Sequence, residues 1–145
     1  MLKLTKKADY GLIAMRHLAH LDVGLCSAKD LAEDYGMPQE ALAKILQGLA
    51  KAGLLLSQHG MNGGYTLARD PRTISAFEVI QAIEGPMFMT SCSTASRACE
   101  QSSRCTVREP LRKVSRSIEE VLSHLTIWDL TQPEYADASE LVRLS

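Results

Sequence analysis

Between Ser27 and Ala68 the hydrophobic period changes from helical to alternating, and glycine or proline marks each junction, which leaves few folds open. Ser27 followed by Asp30 reads as a capping-box-like start, so Ala28 to Tyr35 is predicted as a short helix that stops at Gly36. Pro38 suits the first turn of a following helix that Gly53 ends. In that helix Leu42, Ile45, Leu46 and Leu49 form an inward stripe, and Gln39, Glu40, Ala43, Lys44 and Gln47 face out. Two helices joined by a tight glycine-containing turn form a helix-turn-helix, whose second helix enters the major groove of DNA. Leu54 to Gln58 and Tyr65 to Ala68 then read as strands, joined by His59-Gly60-Met61-Asn62-Gly63-Gly64, a run that tolerates positive φ. This is a hairpin wing, and the expected fold is mainly α with one small β-hairpin: a winged helix-turn-helix. The same unit could serve protein contacts instead of DNA.

The flanking segments complete the architecture. Leu12, Ile13, Met15, Leu18, Ala19 and Leu21 recur at helical spacing and predict a supporting helix over 10–21. Ser75 and Glu78 form a second capping box, opening a helix that Gly85-Pro86 stops. After an aperiodic stretch, Val107, Leu111, Val114, Ile118, Val121 or Leu122, and Leu125 recur at alternating three- and four-residue steps. One apolar seam on an otherwise polar helix implies a partner, and the simplest is the same helix of a second subunit. Folding back onto its own domain is the alternative. The expected division is a DNA-binding domain over 1–85, a cysteine-rich loop over 86–106, a dimerisation helix over 107–131 and a polar tail over 132–145.

Cys92, Cys99 and Cys105 lie in the aperiodic stretch, while Cys26 stands apart and is expected to pack. No apolar run approaches the roughly 18 residues of a membrane span, and the N-terminus lacks the apolar region of a signal peptide, so the expected location is the cytoplasm, away from membranes. In that reducing compartment clustered cysteines point to metal binding or redox chemistry, not disulfides. Thiolates suit zinc, copper(I) and iron-sulfur clusters, and three leave a four-ligand site one short. Spacings of six and five residues disfavour the close knuckles of a zinc finger and rank an iron-sulfur cluster ahead of zinc, with unligated redox-active thiols third. Glu100, Glu109, Asp9, His59 and His124 are candidates for the fourth ligand.

A formal net charge of -1 across 145 residues is unusual for a nucleic-acid binder, but the average hides an asymmetry. Lys3, Lys6 and Lys7 stand without an acid among them, and the reading helix adds Lys44 and Lys51. A dimer presents each twice. The expected DNA-contacting set is therefore Gln39, Glu40, Ala43 and Lys44 in the major groove, His59 and Asn62 on the wing, and Lys3, Lys6, Lys7 and Lys51 on phosphates of a pseudo-palindromic double-stranded operator.

Leu4 to Tyr10 (Leu-Thr-Lys-Lys-Ala-Asp-Tyr), Leu49 to Leu54 (Leu-Ala-Lys-Ala-Gly-Leu), Gly60 to Arg69, Glu84-Gly85-Pro86 and the three clustered cysteines together resemble the winged-helix iron-sulfur transcription regulators typified by IscR, NsrR and RirA. The similarity covers about residues 1 to 131 and is greatest to the branch that regulates the SUF cluster-assembly operon. It implies a homodimer in which Cys92, Cys99 and Cys105 hold a 2Fe-2S or 4Fe-4S cluster. IscR-like members use a histidine three residues after the last cysteine, where this chain has Arg108. NsrR-like members use an aspartate near the N-terminus of the other subunit, and Asp9 matches that position. Many members have Arg immediately before the first wing glycine; His59 stands there, with less positive charge for a narrow minor groove.

The expected function is a cluster-sensing repressor of SUF-type iron-sulfur assembly genes. Nitric oxide or redox sensing through the same cluster is one rival, and a zinc- or thiol-stabilised winged-helix interaction module is another. An enzyme is disfavoured, because no candidate nucleophile comes with an adjacent base.

Overall fold

The first helix, α1 (Lys6–His20), begins four residues earlier than its apolar pattern suggests. Its opening turn, Lys-Lys-Ala-Asp, carries a single inward residue, the fully buried Ala8, so periodicity alone cannot register it. Thr5 supplies the missing cap: its hydroxyl accepts the Ala8 N–H at 3.3 Å, and its carbonyl accepts from Asp9 N. The computed structural model describes residues 4–20, 25–86 and 106–133.

The helix-turn-helix is formed by α2 (Ala28–Tyr35) and α3 (Gln39–Lys51). Ser27 Oγ accepts from Asp30 N at 3.1 Å, and Gly36 closes α2 at φ 65, a left-handed conformation that costs glycine least. Pro38 caps α3 from outside, one residue earlier than its expected place in the first turn. Leu42, Ile45, Leu46 and Leu49 are all buried in the core with Met15, Leu18 and Leu31.

In the wing β1 (Leu55–Gln58) pairs antiparallel with β2 (Gly64–Leu67), Leu55 opposite Leu67 and Gln58 opposite Gly64. A third extended segment, which the sequence reading does not contain, joins β2: Cys26 and Tyr65 exchange both backbone hydrogen bonds, at 3.2 and 2.9 Å. Gly64 makes this approach possible, because a Cβ there would stand 2.8 Å from the carbonyl carbon and oxygen of Cys26. Fold and sequence expectation agree: mainly helical with one small hairpin.

After a 3-10 turn at Pro71–Thr73, α4 (Ala76–Glu84) opens on a complete capping box, in which Ser75 Oγ accepts Glu78 N and Glu78 accepts Ser75 N at 2.9 Å. Burial pushes the Glu78 carboxyl up, but the Ser75 N–H and the Arg69 guanidinium, 2.9 Å away, pull it further down, to a net position below its ordinary value.

The helix expected over 107–131 is two. α5 (Arg108–His124) ends where Leu125 turns extended, and α6 (Ile127–Thr131) starts anew on a third capping box, Thr126 with Asp129. The break is enforced by backbone pairing, with Ala76 N donating to Leu125 O at 2.7 Å and Ile127 N to Ile74 O at 2.8 Å. Ile74 and Ile127 are both fully buried there. Arg16 Nε also donates to Leu130 O at 2.7 Å, fastening α6 to α1.

No residue of α5 is buried, and Val107, Val114 and Val121 of the expected seam are 56, 45 and 69% exposed. Val114, Ile118, Val121 and Leu122 line a shallow apolar depression along it.

Two outcomes follow. Gly64→Ala forces the wing away from Cys26 and should lower the unfolding free energy read from urea titration by about 1–3 kcal/mol, the scale of a forced overpacking, with retained stability arguing against the three-segment pairing. Because Glu78 is lowered in the folded protein, its contribution is complete above the ordinary carboxylate pKa of about 4.3 and fades as pH falls through the lower folded value. Glu78→Gln should therefore flatten the acid limb of a Tm-against-pH profile while leaving the neutral limb nearly parallel.

Candidate nucleic-acid interface

Opposite its buried stripe, α3 presents Glu40, Lys44, Gln47 and Lys51, all exposed, with Gln39 exposed and Ala43 half-buried beside them. The side chains expected to reach the major groove thus project from one helix that the core holds by Leu42, Ile45, Leu46 and Leu49. Gln47 belongs to this face although it is absent from the expected contact set; its position three residues after Lys44 and four after Ala43 carried the signal.

His59 and Asn62 are exposed on the wing, with Met61 fully exposed between them. Arg69, just beyond β2, pairs with Glu78 of the α4 capping box, so the returning strand is tied to the helical body. Lys6 and Lys7 are exposed in the first turn of α1, and Lys3 lies outside the described residues.

Lys7 and Lys44 come together. They line an open cleft of about 440 Å³ with Glu40, Ala41, Ile45 and Gly48 of α3 and Ala82 and Ile83 of α4.

Cys92, Cys99, Cys105 and Glu100 lie outside the described residues, between the end of α4 and the start of α5 in sequence. Of the other ligand candidates, Asp9 is exposed in the first turn of α1 and Glu109 in that of α5. His124 is exposed, and its Nδ1 donates to the Glu120 carbonyl of its own helix at 2.6 Å. Among the described residues no group of three or more His, Cys, Asp or Glu side chains gathers as a metal site. Cys26 is 6% exposed, and burial, with Asp30 and Asp34 adding to it, pushes its thiol above the ordinary value. Such a thiol stays protonated and packs.

Residues 4–133 match the family model Rrf2, described as an iron-dependent transcriptional regulator. The chain belongs to the Rrf2 family. It is 33% identical over 132 residues to protein aau3 of Rhizobium meliloti (strain 1021), covering 90% of this chain and 86% of that protein. Among solved structures it is similar to T. potens IscR, with 35% identity, a TM-score of 0.71 and coverage of 96% of this chain and 91% of that one. CymR, the global cysteine regulator of B. subtilis, superposes at TM-score 0.71 with 31% identity over 90% of this chain and 97% of that one. As an Rrf2 protein the chain is a winged-helix transcriptional regulator and not an enzyme. No helix among the described residues is long and apolar enough to cross a membrane.

An Rrf2 wing that enters a minor groove gains from a fixed cation at its tip. His59→Arg should tighten binding to duplex DNA at neutral pH and steepen its salt dependence, as read by fluorescence anisotropy; unchanged affinity would take the wing out of the interface.

Proposed function

We propose that this Rrf2 protein is a dimeric repressor of SUF-type iron-sulfur assembly genes that reads the state of a cluster held by Cys92, Cys99 and Cys105, with Asp9 of the other subunit as the fourth ligand. The observation that carries the reading is the position of the three thiols in the chain: they join α4 of the DNA-binding unit to α5, whose apolar seam is bare. A change at that junction bears on both elements at once.

The donor chemistry fits. Three thiolates are soft ligands suited to iron-sulfur ligation, and Asp9 offers an exposed carboxylate on the first turn of a helix. A carboxylate is a weaker, more exchangeable fourth ligand than a thiolate, which suits a sensing site. When bound, the cluster supplies an iron centre whose redox state and integrity respond to oxygen, nitric oxide and iron supply.

The chain's own part is mechanical. The α5 seams of two subunits pack together and set the separation of two α3 helices, which address half-sites of a pseudo-palindrome. Gln39, Glu40, Ala43 and Lys44 face base edges, the wing residues His59 and Asn62 follow the minor groove, and Lys3, Lys6, Lys7 and Lys51 approach phosphates. A coupling of about 1–3 kcal/mol between thiol-segment state and dimer geometry changes operator affinity roughly 5- to 150-fold.

Redox sensing by the thiols themselves is a second reading. It is supported by the similarity to CymR, including the S. aureus protein solved in an oxidized form at 27% identity and TM-score 0.70.

Anaerobic purification with an absorption spectrum and an iron and sulfide assay separates the two. Visible charge-transfer bands with stoichiometric iron and sulfide, lost in Cys99→Ala, are expected. A colourless protein with thiol-dependent DNA binding would move the function to the thiols alone, and bound zinc would make the segment structural.

A further inference from the structure

We propose that Met61, at the tip of the wing, is an apolar wedge for the minor groove: its thioether side chain enters beside a base step, partly unstacks it and bends the duplex. The wing then reads the deformability of the DNA. The proposal rests on the reading of the winged unit as a DNA-binding unit, with α3 in the major groove and the wing beside it.

The position of Met61 carries the argument. Gly63 N donates to Gly60 O at 3.1 Å, so Met61 and Asn62 are the two central residues of the turn that closes the hairpin. Met61 is fully exposed, more so than any other large apolar side chain among the described residues. Neither the core nor the turn accounts for a methionine there. It takes no part in the hydrophobic cluster, turns favour glycine, proline, asparagine, aspartate and serine, and its φ is not positive.

The tip is also built slender. Gly60 takes φ 118, which glycine adopts at no steric cost, and at Gly63 a Cβ would stand 2.2 Å from the Gln58 carbonyl oxygen. The turn thus lies close against its own strand, with bare backbone on both sides of Met61 and Asn62. That shape suits entry into the minor groove, roughly 6 Å wide in B-DNA.

The chemistry of the tip agrees. From Gln58 to Thr66 no residue carries a fixed charge, so the tip gains little from the negative potential of a narrow groove. It offers instead a flexible, polarisable apolar side chain, of the kind that minor-groove proteins insert between base steps. The amide of Asn62 beside it can donate to the acceptors that A·T pairs present there. Together they select a pyrimidine–purine step, TA or CA/TG, which kinks easily.

The test uses the full chain, in the form that binds DNA, on the duplex that the wild-type protein selects from a random-sequence pool. Fluorescence anisotropy reads affinity, and energy transfer between dyes at the duplex ends reads bending. The wild type is expected to bend this duplex by about 20–90°. Met61→Ser should weaken binding roughly tenfold, the scale of one apolar side chain returned to water, and reduce the bend. Met61→Leu should keep both. Neither variant should change Tm, because Met61 is exposed, nor the slope of log affinity against log salt, because no charge is removed. Replacing the step under the wing by the stiffer AA should cost the wild type more than it costs Met61→Ser. If the wild type leaves the duplex straight, or if Met61→Ser binds and bends as the wild type does, weakens binding without reducing the bend, or alters the salt slope, the wedge is wrong. Wild-type protein that selects no duplex at all would overturn the DNA-binding reading beneath it.

Discussion

The short backbone pairing of Ile74–Ala76 with Leu125–Ile127 joins the winged unit to the end of α5 and the start of α6. Two hydrogen bonds, at 2.7 and 2.8 Å, close over two isoleucines that are excluded from solvent. Polar backbone buried in this way must be paired, so the joint opens only at the cost of both bonds and of the apolar contact beneath them. Through it the C-terminal end of α5 is fixed to the start of α4, and α6 is laid across α1. The direction in which the bare seam of α5 points, relative to the reading face of α3, is set there.

Much of the winged unit was legible in the sequence because its signals are local. Ser27, Ser75 and Glu78 are capping residues whose role needs only a neighbour three positions away, and Gly36 and Gly53 interrupt periodic runs that cannot continue through them. The burial of Leu42, Ile45, Leu46 and Leu49 follows from spacing on a single helix. Three features escaped, one for lack of a large apolar residue and two because they depend on distant pairing. The first turn of α1 is capped by Thr5 and turned inward only at Ala8, too small to register as periodicity. The pairing of Cys26 with Tyr65 joins residues 39 positions apart. The break before α6 lies inside an apolar pattern that runs on through Leu125 and Ile127, and only tertiary pairing with Ile74 and Ala76 shows that the helix stops. Thr126-Ile127-Trp128-Asp129 did offer a cap signal, but Asp at the fourth position is a weaker cue than the Glu of Ser75-Ala76-Phe77-Glu78.

The candidate interface was legible to a different degree. Helical spacing showed which side chains of α3 face outward, but not which neighbour they face. Lys44 and Gln47 look equivalent on a helical wheel, and both are exposed; only the approach of α1 and α4 places Lys44 in a cleft with Lys7 that Gln47 does not line. The net charge of -1 was misleading for the same reason, since it sums over faces that no single ligand sees.

Cys26 forms the single bridge that pairs with β2 of the wing, with a thiol that burial and two nearby carboxylates push above its ordinary pKa. The polypeptide therefore contains its own unreactive control for sulfur chemistry. Rapid alkylation or oxidation of the folded protein reports on the other three cysteines, and slow modification of the fourth becomes a clock for the opening of the wing.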